Sequence, residues 1–321
     1  MSLNRRQALA AALGTLGTGT LAPARAQNPS SSVIRFVIPT PAGGGHDTMM
    51  RVIGQKLTEA WGLPSIVESK PGASGAISAA SVVQGPADGH TVLVGYSALL
   101  SNTVLMERTP YRLEDLQPVC MLALTPIAIG IRESLPVSTL RQYVALAKTR
   151  PGRISYGSYG QGSGGHFVGE LFNMAADIDT VHVPYKGEAP ALQDLLAGQI
   201  DAAVTSVGGV NRYPGRIKPL AVASAARFPA YPDTPTFAEL GYPEVDMPGW
   251  AGAFVPAKTP QPAVDRLTAE LSRIVMLPDV RDKLLELGFE PVAWDAARTR
   301  EFMTQQLALT RRLVDAGRVK L

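Results

Sequence analysis

The sequence predicts an α/β protein of two lobes, and three observations carry that prediction. Apolar strand-like runs alternate with amphipathic helical stretches along most of the chain, the pattern of sheets covered by helices on both faces. Two glycine-rich segments, more than a hundred residues apart, each stand between such a strand and such a helix. Once an N-terminal export-like segment is set aside, about 295 residues remain, more than one hydrophobic core usually serves.

That segment comes first. Asn4-Arg5-Arg6, an apolar stretch from Ala8 to about Ala22, and Ala24-Arg25-Ala26 read as a cleavable export signal over 1–26, by a general secretory or a twin-arginine route. Its apolar part is too short and too rich in Gly and Thr to span a membrane. It also holds three of the 30 Lys and Arg residues, so the rest of the chain has 27 basic against 27 acidic side chains. Such a balance excludes the concentrated basic face that nucleic-acid binding needs. The single cysteine, Cys120, lies in an apolar run and reads as core packing; alone it makes neither an internal disulfide nor a metal site.

From 33 to about 105 the pattern gives a strand at 33–38, a helix at 47–61, a short strand at 65–68, a helix at 76–84 and a strand at 91–95. The helix at 47–61 carries its apolar face on Met49, Val52, Ile53, Leu57, Ala60 and Trp61. Apolar residues broken by Pro118 and Pro126 then lead into a second series. It comprises helix 138–149, strand 154–158, helix 166–176, strand 180–183, helix 189–197 and strands 201–205 and 217–223. The section holding Pro229, Pro232, Pro235, Pro243, Pro248 and Pro256 reads as a return crossing, and helices follow at 261–276, 279–287 and 296–316. The expected organisation is lobe 1 from 27–125 plus 253–321 and lobe 2 from 126–252, each a mostly parallel sheet flanked by helices. Hinge crossings are placed near 118–130 and 243–256.

Ligands in such sheets bind at the carboxyl ends of strands. There Ala42-Gly43-Gly44-Gly45-His46-Asp47 turns from strand to helix, and glycines followed by free helix amides suit an anion. Ser97 and Ala98 fall on the same edge. The other lobe repeats the feature with Tyr156-Gly157-Ser158-Tyr159-Gly160-Gln161-Gly162-Ser163-Gly164-Gly165-His166. Two such helix starts facing across a cleft would hold an anion between them. Within this loop, Gly160, Gly162 and Gly165 formally match a dinucleotide fingerprint, but the next strand runs into Val183-Pro184-Tyr185-Lys186-Gly187 without the ribose-binding acid.

The remaining candidates carry two readings each. His46 and His166 either donate to a carboxylate or serve their turns. Asp47 reads as an N-cap rather than a ligand contact, because its charge would oppose an anion. Lys186 is a cation near the second edge or an ordinary surface lysine, Tyr185 is placed to close over a ligand, and Trp250 reads as packing at the crossing. No nucleophile elbow, Walker sequence or paired Cys-His or His-His spacing is present, so no catalytic residue, metal or cofactor is expected.

Taken in order, Gly43-Gly44-Gly45-His46-Asp47, Pro71-Gly72-Ala73-Ser74-Gly75, Pro86-Ala87-Asp88-Gly89-His90-Thr91, the loop from Tyr156 to His166, and Val183 to Gly187 with Ala189-Pro190-Ala191-Leu192 form an ordered set. Gly198-Gln199-Ile200-Asp201, Pro232-Asp233-Thr234-Pro235-Thr236, Trp250 and Pro256 to Pro260 extend it. The set resembles the Bug family, the TctC-like periplasmic solute-binding proteins of tripartite tricarboxylate transporters. The resemblance implies a two-lobed periplasmic binding protein fold of type II kind that closes on a small carboxylate and passes it to a membrane permease, acting as a monomer in the periplasm.

By the same resemblance, Ala42 to Asp47 and the loop from Ser158 through Tyr159, Gly160 and Ser163 to His166 hold the carboxylate. Ser97, Ala98, Pro184, Tyr185, Lys186, Gly187, Thr205 and Ser206 read the rest. His46 stands where the family often has Thr or Ser, and Thr205-Ser206 where it often has Asp-Asn. These departures and the large Tyr96 and Tyr159 imply a dicarboxylate or an aromatic carboxylate. The alternatives are an exported enzyme for a nucleotide or phosphorylated ligand using the 160–165 loop, or a loaded sensor subunit for a membrane receptor.

Overall fold

The computed structural model describes residues 33–319; the export signal expected over 1–26 lies outside them. Two sheets organise the described chain. The first has six strands in the order β11-β4-β10-β3-β1-β2, and the second five in the order β7-β6-β8-β5-β9. In the first, β1 (Ile34–Ile38), β2 (Ser65–Ser69) and β3 (Thr91–Gly95) run parallel, connected through helices α1 (Gly45–Trp61) and α2 (Ala76–Val83). In the second, β6 (Ile154–Ser158), β7 (Thr180–Pro184) and β8 (Ala202–Ser206) repeat that arrangement through α5 (Gly164–Ala176) and α6 (Glu188–Leu196). The loops that leave the parallel strands at their carboxyl ends are therefore the glycine-rich segments.

Each sheet is completed by a strand that arrives from the other half. β4 (Leu116–Thr125) ends the first passage, and after Pro126 alone the chain enters β5 (Ile127–Arg132), antiparallel between β8 and β9 (Ile217–Ala223). On the return, β10 (Gly249–Pro256) slots antiparallel between β3 and β4, with Gly249 opposite Thr125. The two crossings are thus adjacent in space, and the Val207 amide bonds the Pro126 carbonyl at 2.9 Å beside them. The sheets are consequently mixed: the parallel strands that the pattern predicts form one side of each, and the crossing strands add antiparallel pairs.

The crossings are strands where proline content pointed to connections. Pro118 fits inside β4 because it lies beyond the residues that β11 (Glu290–Trp294) pairs with, and its β10 side falls where the register shifts. All eight residues of β10 are buried. The run Ala98–Leu105 is α3, continuing from Ser97, and α7 (Val207–Asn211) follows β8 directly. Helix α4 (Leu140–Thr149) starts on a Thr139 cap, whose hydroxyl accepts from the Gln142 amide.

Helices α8 (Gln261–Val275) and α9 (Pro278–Glu286) cover the first sheet. The last helix, α10 (Ala296–Asp315), serves both cores. Phe302, Met303 and Leu307 pack beside Leu99, Trp250 and Phe254, whereas Leu313 and the following Val319 join Tyr143, Phe167 and Phe172 under the second sheet. Among the described residues no helix is long and apolar enough to cross a membrane.

Candidate functional site

The first glycine loop is an open amide cradle. Gly43 takes φ +82°, a conformation costly for any side chain, and Gly44 is the extended N-cap from which α1 starts. Asp47 is therefore not the N-cap; it is the third helical residue. Its buried carboxylate reaches back to accept from the Gly43 amide at 3.0 Å and from Arg51 Nε at 2.9 Å, and these bonds, Arg51 foremost, hold it below the usual carboxylate range. The bond to Gly43 fixes the loop's shape and removes one amide from use. The amides of Gly44, Gly45 and His46 find no acceptor among the described residues, and the three glycines are exposed. Ala42 is exposed beside them.

His46 stands over this cradle. Its ring meets Phe289 edge-on at 5.2 Å and lies 6.0 Å from Tyr96, and burial lowers its pKa to about 4. The imidazole is neutral near pH 7. Its Nε2 is covered and has no hydrogen-bond partner among the described residues. Phe289 also supports Gly45, whose Cβ position would lie 3.2 Å from the ring.

The second glycine loop is built differently, because its polar groups face one another. Gly160 donates to Ser158 Oγ at 3.2 Å, Gly162 donates to His166 Nδ1 at 3.1 Å, and Ser163 caps α5 by accepting from the His166 amide. His166 stacks on His182 with centroids 3.8 Å apart, and His182 Nε2 lies 2.7 Å from Ser158 Oγ. Burial is the main reason that both stay neutral, with pKa values near 3 for His166 and 4 for His182. His166 thus serves its turn. The Gly160, Gly162 amides needed to cradle a diphosphate are turned inward, and Gly165 is pressed against the Val204 carbonyl.

Tyr159 lies on the side of this loop toward the other half. Its hydroxyl lies over Gly164 and Gly165, and the Cβ position of Gly164 is 3.8 Å from Ser97 Oγ of the first half. Burial pushes the phenol far up, and the nearby Glu188 carboxylate adds to the shift. Two further contacts between the halves lie near it. Ser101 Oγ donates to the Gly162 carbonyl at 3.0 Å, and Gly208 abuts Gly288, its Cβ position 3.5 Å from that α-carbon.

The other expected residues divide. Ser97 begins α3 beside buried Ala98, at the meeting of the halves. Thr205 is wholly buried at the end of β8 with an unpartnered hydroxyl, and Ser206 caps α7 through the Gly209 amide. Tyr185 gives its hydroxyl to Asp194 at 2.7 Å, so it is tied to α6 rather than free to close. Pro184 and Lys186 are exposed, and Gly187 supplies the φ of +116° from which α6 starts. Trp250 is buried packing, as the sequence suggests. Sequence reasoning missed Ser101, Phe289 and Glu188. Glu188 alone left a signal, an acid at a helix start, which reads as ordinary dipole complement.

Two α/β halves joined by paired crossings, with an amide cradle at their junction, define a two-lobed solute-binding protein of the periplasmic type. The model of the tripartite tricarboxylate transporter family receptor, TctC, matches residues 49–318, and the chain belongs to that family. It is 31% identical to the protein BugT of Bordetella pertussis over 294 residues, 90% of each chain. Among solved structures it is similar to Rpa4515 of R. palustris with adipate, at 30% identity and a TM-score of 0.82 over 90% of this chain and 98% of the other. MatC of Rhodopseudomonas palustris with bound malate matches at 28% identity and a TM-score of 0.76, over 88% and 98%. The family is a transporter receptor, and similar solved structures include the periplasmic binding protein BugD and a TctC solute-binding protein from Polaromonas, so this chain is a binding protein and not an enzyme.

Proposed function

We propose that the protein captures a small organic carboxylate between its lobes in the periplasm and delivers it to the membrane permease of a tripartite tricarboxylate-type transporter, acting as a monomer after removal of residues 1–26. The observation that carries this reading is the set of unengaged amides at Gly44, Gly45 and His46. In this reading lobe 1 (27–125 plus 253–321) and lobe 2 (126–252) close about the crossings near 118–130 and 243–256, which the single-residue link at Pro126 supports. The relatives solved with adipate and malate support a carboxylate as the ligand.

Magnitudes favour closure over a one-sided site. Charge-assisted hydrogen bonds contribute about 1.5–3 kcal/mol each, so three amides supply roughly 4.5–9 kcal/mol against an association cost of about 4–15 kcal/mol. Burial between the lobes has to add the rest. The test is a thermal-shift and calorimetric panel of mono-, di- and aromatic carboxylates. At a hundred times Kd the ligand stabilises by about 2.7 kcal/mol, a readily measured rise in Tm. Absence of any shift and any heat across the panel overturns the reading.

A further inference from the structure

Helix α6 begins at Glu188, one residue after the loop expected to read the ligand. Its side chain folds across to the end of β8, where Oε2 accepts from the Ser206 amide at 2.8 Å. The carboxylate then covers Gly209, whose Cβ position would fall 2.6 Å from its Cδ. A side chain at Gly209 would displace the carboxylate from this place. On one side of it is Tyr159, which lies toward the other half and feels the charge of Glu188.

On the other side, Gly208 abuts Gly288, the neighbour of Phe289, and Phe289 lies under both Gly45 and His46. The carboxylate therefore sits on the second half next to its contact with the first, one residue from the Gly208–Gly288 approach. The Ser206 amide is the hydrogen-bond donor to its Oε2. Glu188 is half-buried and keeps acceptor capacity, since an ionised carboxylate has two oxygens with about four lone-pair sites.

A negative charge held in place in a site that takes carboxylates selects among them. It repels a ligand's second carboxylate and attracts an ammonium or another N–H donor. From this placement, and resting on the carboxylate reading above, we propose that Glu188 is a specificity-determining residue and that the ligand is a carboxylate also bearing an ammonium or N–H donor group, held with its carboxylate on the Gly44–His46 amides and its donor toward Glu188.

The test measures Kd by calorimetry for matched sets of amino carboxylates, plain monocarboxylates and dicarboxylates, with the amine placed at successive positions along the chain. The wild-type protein is expected to bind the best amino carboxylate at least about tenfold more tightly than the dicarboxylate of the same length. Glu188→Gln keeps an oxygen for the Ser206 amide but removes the charge, so it should bring that ratio to within about threefold. Should Glu188→Gln fail to fold, Glu188→Asp, which keeps the charge but withdraws it, should shrink the ratio instead. Tighter dicarboxylate binding by the wild type, or an unchanged ratio in the variants, overturns the role of Glu188 and leaves the carboxylate reading intact. Failure of every carboxylate to bind overturns both.

Discussion

Ser101 Oγ donates to the carbonyl of Gly162 across 3.0 Å, tying the helix behind one lobe's site loop to the middle of the other lobe's glycine loop. The bond is buried and spans 61 residues of sequence. In the lobe closure proposed above, this contact belongs to the closed form.

Ser101→Ala accordingly should weaken ligand binding while leaving the unliganded fold nearly as stable. A net hydrogen bond contributes about 0.5–1.5 kcal/mol, which corresponds to a loss of roughly two- to tenfold in affinity by calorimetry. An unchanged Kd would mean that the contact does not stabilise the bound form.

Gly44→Asp tests the cradle itself. The position is extended at φ −79°, and its Cβ would meet nothing nearer than the Pro41 carbonyl at 3.4 Å, so the fold accepts a side chain. The new carboxylate would stand where the ligand's should sit. Binding should disappear with Tm little changed; retained affinity would remove this loop from the site.

Gly165→Ala should act in the opposite manner, on stability first. A methyl group there would overlap the Val204 carbonyl and crowd Tyr159. Backbone cannot yield as a flexible side chain can, so a loss of about 2 kcal/mol or more in urea denaturation is expected. A variant as stable as the parent would show that α5 is not seated against β8 in this way.

Acid should destabilise the protein before its carboxylates titrate. Unfolded histidines take up protons near pH 6.5, whereas His46 and His182 do so near 4 and His166 near 3 in the fold. Between these values the unfolded chain binds more protons, so stability rises with pH there and is lost as pH falls from about 6.5 toward 4, by about 1.4 kcal/mol per pH unit for each histidine. Glu170, Asp246 and Glu290, whose carboxyls burial raises, oppose part of this slope. Denaturation at a series of pH values should show the decline, and His182→Gln should flatten it. Stability that holds or rises on acidification to pH 5 would contradict the buried, neutral histidines.

Local chemistry made much of this molecule readable. Strand-then-helix periodicity located β1 to β3, β6 to β9 and every helix except Ala98–Leu105 and Val207–Asn211 within a few residues, and glycine content located both loops. Where the reading stopped, the cause was non-local. β10 looks like a proline-bounded connection because its strand character comes from being buried between β3 and β4, and Pro118 is tolerated in β4 only because β11 does not reach it. Ala98–Leu105 follows Ser97, a common N-cap residue, but that side chain makes no cap bond, and the run is too short to show a helical period.

The site divides in the same way. Sequence alone determined that two glycine-rich strand-to-helix turns exist, since three consecutive glycines or a Gly-Ser-Gly-Gly run cannot remain in regular structure at low cost. It could not say which turn keeps its amides free, because that depends on what the polar side chains reach. Tertiary structure decided that the first turn gives up Gly43 to Asp47 and keeps the rest open, whereas the second is closed on itself by Ser158, Ser163, His166 and His182. It also carried Glu188 to Ser206, across 18 residues and from one helix start to another strand's end. A hydrogen-bonding group declares its chemistry in the sequence, but its partner is chosen by folding, which alone sets the few ångströms over which such bonds act.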